Sequence, residues 1–262
     1  MRFTGARPRP LAIFAALCVA VTAVFTAAVA VAGSFDKESA VVLGRTANTP
    51  KPNCPTPKDP DGDGPRAVPA DKNCQAMGRV TGFQISADGE RGPYKIRQPG
   101  RIVAWSLDLA RPSKSEREFF ETALQKSGPP SARLSILKAK NHGTFKLVKQ
   151  SPVVQLQPLL GNKPVFTLTD PLRVREGQVV ALTTPTWVSN LADHGSSESD
   201  AWRTSRDPGE CGTETDDSAA ENEADLTTRS RPQQKVDRVR AYACKYTGAR
   251  ILYRAYLAPK GG

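Results

Sequence analysis

The chain has 262 residues and a formal net charge of +11. That length suits one β-rich domain with a tail rather than several domains. The excess of Lys and Arg reads first as a device for solubility and second as attraction to anionic surfaces, and its scatter along the sequence argues against nucleic acid as a partner.

The N-terminus carries Arg2, Arg7 and Arg9 without an acid, followed by Leu11–Ala32, an uncharged run rich in Ala and Val. Ala28-Val29-Ala30 and Ala30-Val31-Ala32 offer small residues at signal-peptidase spacing. Residues 1–32 therefore read as an export signal. The run is also long enough to stay as a membrane anchor, the second reading. Cys18 has no small residue directly before it, so a lipoprotein anchor is not expected. Either way the remaining chain is placed at the cell surface or in the medium, touching the membrane only through this segment if it is uncleaved.

Without residues 1–32 the net charge is +8 over 230 residues, and four cysteines remain: Cys54, Cys74, Cys211 and Cys244. An even count in an oxidising compartment reads as two disulfides. Of three pairings, Cys54–Cys74 with Cys211–Cys244 is preferred, because each closes a segment with little else to hold it. Zinc is the weaker alternative: there is no Cys-x-x-Cys, and only His142 and His194 could assist.

The stretch 33–76 is rich in Pro and polar residues and reads as a spacer. Within it, Asp59, Asp61 and Asp63 match the first half of a calcium loop. Position twelve is Ala70 rather than a bidentate Glu, so a plain Asp/Gly turn is the preferred reading.

From residue 77 to 262 the pattern is that of one β domain. Arg79–Ser86 is a strand, and Asp88-Gly89 and Arg91-Gly92-Pro93 are turn signals before a short strand at Tyr94–Arg97. Gly100–Ala110 is the clearest strand. Val103, Trp105, Leu107 and Leu109 alternate onto one face, with Asp108 on the other. Ser113 and Glu116 form a capping box that predicts one helix over Ser113–Lys126, ended by Gly128-Pro129-Pro130. Strands follow at Ala132–Lys138 and Thr144–Gln150 around an Asn141-His142-Gly143 turn, and then at Val153–Leu156, Val165–Thr169, Pro171–Val174 and Gln178–Thr183. Residues 189–234, strongly acidic in the middle, read as a long exposed loop. Arg238–Ala258 returns to β, with Ile251, Tyr253, Ala255 and Leu257 on one face in a strand expected to pair centrally. Many short strands and a single helix predict an antiparallel β-sandwich, jelly-roll-like, with loop-rich flanks.

Val80-Thr81-Gly82-Phe83-Gln84, Gly100–Leu109, Lys149-Gln150-Ser151-Pro152, Pro185-Thr186-Trp187, Ala201-Trp202-Arg203 and Ala249–Tyr253, taken together, resemble a family of exported β-rich proteins of actinobacteria with no assigned activity. The resemblance implies a scaffold and agrees with a Cys211–Cys244 bridge. It brings no site residue.

Catalytic signatures are weak. There is no Gly-x-Ser-x-Gly, no spaced His pair and no phosphate-cradling glycine loop. Asp193 and His194 with Ser196 and Ser197 are sequence neighbours in a loop, which is not a triad. No catalytic residue and no cofactor is expected. Trp187 and Trp202, at a strand end and in the loop after it, are the candidate ligand-binding residues, since exposed rings stack on sugars. The preferred reading is that both seal the end of the core over Trp105. The sequence thus predicts an exported, non-enzymatic β-sandwich with an envelope interaction role. A polysaccharide-binding module is the alternative, and an unrecognised hydrolase the second. If the basic charge serves a partner rather than solubility alone, that partner is an anionic cell-wall polymer or a polysaccharide.

Overall fold

The computed structural model describes residues 40–53, 74–122, 128–193, 199–211 and 231–260. The readings made on residues 1–32, on Asp59, Asp61 and Asp63, and on His194, Ser196 and Ser197 lie outside them. Among the described residues no helix is long and apolar enough to cross a membrane.

The strands run β1 (Val41–Leu43), β2 (Thr81–Ala87), β3 (Glu90–Arg91) and β4 (Gly100–Leu107), then helix α1 (Lys114–Thr122). After the helix come β5 (Ser131–Ala139), β6 (Thr144–Gln150), β7 (Val154–Gln155), β8 (Val165–Val174) and β9 (Gln178–Thr183). The chain ends with β10 (Leu191–Asp193), β11 (Ala201–Thr204), β12 (Val239–Ala241), β13 (Cys244–Thr247), β14 (Ala249–Ile251) and β15 (Tyr253–Pro259). A four-stranded sheet has the order β1-β15-β4-β8, and a larger one runs β12-β6-β5-β9-β2-β11-β13 with β3 and β7 as side pairings. Every ladder is antiparallel. The two sheets share one apolar core: Ile102, Trp105 and Leu107 of β4 pack with Leu134 and Ile136 of β5 and Val180 and Leu182 of β9. This is the predicted antiparallel sandwich, and the first described strand pairs the last.

The β4 alternation holds with one correction. Val103 has no partner on either flank: against β15 the register steps from Ala104 to Ile102 with no β15 residue skipped, and against β8 the same step passes over residues 168–171 of β8. Such a bulge reverses the facing of everything before it. Ile102, not Val103, therefore joins Trp105 and Leu107 in the core, and Val103 is only half-buried. Trp105 is fully enclosed and lies 4.6 Å from the ring of Phe166. β15 sits inside its sheet with Tyr253, Ala255 and Leu257 buried, as expected of a centrally paired strand.

Asp108, expected on the face opposite Trp105, is buried. Lys163 Nζ at 2.9 Å and Arg254 Nη1 at 3.3 Å make that tolerable by pairing the carboxylate. A second set of charges ties down part of the stretch read as spacer. Val41–Leu43 pairs with β15, and buried Arg250 donates to Asn48 O and to Thr46 Oγ1 while facing Asp88 at 3.3 Å. Residues 189–234 also contribute more than a loop. β10 pairs β14, and β11 lies between β2 and β13. At three and four residues, both strands are too short to display an alternation in sequence.

Local turn chemistry follows the sequence. Asp88 (φ 49°) and Gly89 (φ 78°) make the β2–β3 turn. In the β5–β6 hairpin the left-handed positions are His142 (φ 55°) and Gly143, with Asn141 ahead of them. Ser113 Oγ accepts from the Glu116 amide at 3.2 Å while Glu116 Oε2 accepts from the Ser113 amide at 2.6 Å, which completes the capping box. Tyr94–Arg97 forms only a single bridge, between Lys95 and Val179.

Two predictions follow from this packing. Trp105→Ala leaves a large hole in the shared core, so urea denaturation is expected to show a loss of about 3–5 kcal/mol. For Asp88, burial pushes the carboxyl's pKa up. Hydrogen bonds from Thr46 and the Asn48 amide and the charge of Arg250 outweigh that and hold it below the ordinary value. A carboxyl depressed in the folded state stabilises above its unfolded pKa and loses that contribution as pH falls through the folded one. Exchange of the Asn48 amide is therefore expected to gain an extra acceleration below about pH 4, and that extra acceleration should be absent in Asp88→Asn.

Candidate functional site: a cationic cleft between the sheets

The inward row of the large sheet is apolar through Leu134 and Ile136 on β5 and through Leu182 and Val180 on β9. One register step further it becomes Lys138 and Gln178, which are partners across the ladder. The apolar filling stops there, and the sandwich opens into a cleft of about 1070 Å³. From the large sheet and the β5–β6 turn, Lys138, Lys140, Lys146 and Lys149 line it. Arg101 and Arg173 come from the small sheet, Arg175 follows β8, and Lys260 follows β15.

Eight basic residues and two acidic ones, Glu176 and Asp237, thus line it, with Arg101, Arg173 and Arg175 at its outer rim, since they alternate with the core residues Ile102, Leu172 and Val174. Asp237 is engaged by Lys146 Nζ at 2.7 Å. Among the described residues, no other cleft cation has a carboxylate within ion-pair distance. Two like-charged pairs stand directly opposite across ladders: Arg101 with Arg173 between β4 and β8, and Lys138 with Lys146 between β5 and β6. Such pairs destabilise a sheet. Both pairs stand beside one cleft, one pair from each sheet, and give its rim a basic character.

The floor is rigid. The Arg175 amide donates to Gln178 Oε1 at 2.8 Å, and Gly177, at φ 78°, closes the β8–β9 turn with its amide on Ile96 O at 2.9 Å. Lys260 is held by its amide on Pro99 O at 3.0 Å.

The tryptophans singled out from sequence do not face solvent. Trp187 is fully buried, packs 4.9 Å from Phe120 of α1 and donates its indole N–H to Gly128 O at 3.1 Å. It belongs to a small cluster under the helix, with Ala76 and Leu160, and not to the Trp105 core. Trp202 is 8% exposed, sits in the main core and stacks at 5.0 Å on Tyr246. Stacking of sugars on these rings is thereby overturned: strand pairing of β11 and the docking of α1 cover both faces. His142 lies on an exposed turn.

Cys211 and Cys244 form a disulfide with Cα atoms 5.0 Å apart. Cys74 is also disulfide-bonded, and Cys54 lies outside the described residues. No group of metal-ligating side chains occurs among the described residues.

The sequence reading missed the cleft because its cations are scattered: positions 101, 138–149, 173–175 and 260. The fold corrects that statement by gathering them. The available signal was the ending of core strands in cations at inward or rim positions, as in Leu134-x-Ile136-x-Lys138-x-Lys140 and Leu172-Arg173-Val174-Arg175.

No protein-family model, no curated protein and no solved structure matches this chain. The likeness to exported actinobacterial proteins therefore stands on the quoted motifs alone.

The disulfide spans 33 residues, and closing a loop of that size restricts the unfolded chain by about 3–4 kcal/mol. Cys244→Ala is expected to lower stability by that order in chemical denaturation.

Proposed function

We propose that this is an exported, non-catalytic binding protein of the cell envelope or medium that holds an anionic polymer in the cationic cleft. The observation that carries the reading is the gathering of eight basic residues around one opening, of which Lys146 is the one with a carboxylate within ion-pair distance among the described residues. A binding role is also supported by the state of the two cleft carboxylates. Glu176 is exposed, and Asp237 is exposed and engaged by Lys146. Neither has the apolar burial that turns a carboxyl into a general acid. Export is supported by the N-terminal pattern and by the disulfide. The second reading, sugar binding by aromatic stacking, has lost its two residues to the core.

Fluorescence anisotropy with labelled dextran sulfate tests this, with neutral dextran as control. Affinity is expected to fall linearly with the logarithm of salt concentration. The double variant Arg101→Gln, Arg173→Gln should bind at least tenfold more weakly, with a salt slope smaller by about two. Arg91→Gln, away from the cleft, should bind as the parent does. Binding that ignores salt, or equal losses in both variants, would sink the proposal.

A further inference from the structure

We infer that residues 231–243 form a flap, latched to the large sheet by Gln233, that inhibits the cleft by holding Asp237 on Lys146. This rests on the anion-binding reading above and adds the regulation of that site.

The flap crosses the face of the large sheet that looks away from the main core. Leu134, Ile136, Val180 and Leu182 point into that core, so Ser135, Leu137, Ala181 and Thr183 point the other way. Phe83, Leu137, Leu147, Ala181 and Tyr242 make a separate apolar cluster there. Tyr242 comes from the flap, and its ring lies 5.0 Å from Phe145 and 5.8 Å from Phe83. Beside the cluster runs a polar row. Thr81 Oγ1 is 2.8 Å from Thr183 Oγ1, Thr183 Oγ1 is 2.6 Å from Ser135 Oγ, and Ser135 Oγ accepts from Gln150 Nε2 at 3.3 Å.

Gln233, 1% exposed, closes this row into a ring. Its backbone amide donates to Thr81 Oγ1 at 2.9 Å, and its carbonyl accepts from Gln150 Nε2 at 3.0 Å. Its side chain donates to Phe145 O at 3.2 Å and to Arg238 O at 2.8 Å, and accepts from the Tyr242 hydroxyl at 2.7 Å. Every polar group of the residue is therefore engaged. Little else holds the flap down. Of residues 231–243, the buried ones are Pro232, Gln233 and Tyr242, and the strand within it, β12, has three residues at the edge of the sheet. A segment with so few buried side chains opens before the rest of a domain does. Gln233 bonds to two other parts of the flap, Arg238 and Tyr242, so removing its side chain leaves the Tyr242 hydroxyl buried without that partner and loosens the segment as a unit.

The same segment reaches the cleft. At Asp237 the backbone turns through φ 68°, the amide is fixed on Leu147 O at 2.8 Å, and the carboxylate lies 2.7 Å from Lys146 Nζ. An anion entering the cleft has to take Lys146 from Asp237 and lie beside a like charge. Ligand therefore favours the open flap, and the open flap favours ligand by the same factor.

The test is amide hydrogen exchange of the whole chain, with dextran sulfate as the probe ligand. The amides of Leu147, Asp237 and Tyr242 donate to Arg238 O, Leu147 O and Gly143 O, whereas those of Leu109 and Val180 donate to Asn162 O and Tyr94 O in the body of the domain. The first three are expected to share one protection factor, lower than that of Leu109 and Val180. Gln233→Ala should lower the three together by about tenfold or more and leave Leu109 and Val180 unchanged. Saturating dextran sulfate should lower them by about threefold in the parent, the worth of one exposed ion pair, and by nothing in Asp237→Asn. Three unrelated protection factors in the parent, or a loss in Gln233→Ala shared by Leu109 and Val180, would remove the flap. Protection that dextran sulfate leaves unchanged or raises would remove the inhibition. If dextran sulfate does not bind, the anion-binding reading has failed and the inhibition with it, while exchange in Gln233→Ala still decides the flap.

Discussion

Val103 is an extra residue in β4 against β15, with no partner on β8 either, and the arrangement of the small sheet turns on it. Strict alternation from Trp105 back along the strand would aim Arg101 and Val103 at the core. The bulge at Val103 reverses the facing, so Ile102 fills the core beneath Leu172 and Leu257, and Arg101 is left outside it, exposed beside Arg173. One inserted residue thus keeps a guanidinium out of the apolar interior and places it at the rim. The packing of Trp105 against Phe166, and of both sheets around it, depends on the same register.

The cleft arises from the same rule on the other sheet. An inward row remains a core row only while its side chains are apolar. At Lys138 and Gln178 it ceases to be one, and the sheets can no longer close on each other. No separate loop or inserted domain is needed to make the opening; the strands run past the end of the core. This also accounts for the charge distribution. Buried Asp108 and Arg250 are each matched with opposite charge, Asp108 by Lys163 and Arg254 and Arg250 by Asp88. The cleft cations are nearly all left unmatched.

What was legible in sequence was local. Ser113 and Glu116 cap the helix because the two side chains need only each other. Asp88-Gly89 makes its turn because the two backbones accept positive φ. The alternation of Tyr253, Ala255 and Leu257 needs only its own strand. Properties that depend on a partner strand were not legible. The bulge at Val103 is defined by what fails to pair with it. Leu191–Asp193 and Ala201–Thr204 are strands because β14, β2 and β13 lie beside them, and the surrounding polar residues masked them. Trp187 and Trp202 look available in a loop-like context and are covered by α1 and Tyr246. The cleft is the extreme case, since its residues come from β4, β5, β6 and β8 and the segments following β8 and β15, and share nothing in sequence but charge.

The pairing of β1 with β15 sets Val41 beside Leu257, one residue from Ala258 and Pro259 on the cleft wall. The first described strand therefore enters, and the last leaves, at the same pole of the small sheet. A fusion at either end of the described domain would therefore stand at that one pole, beside the cleft wall, and would crowd the cleft before any other face.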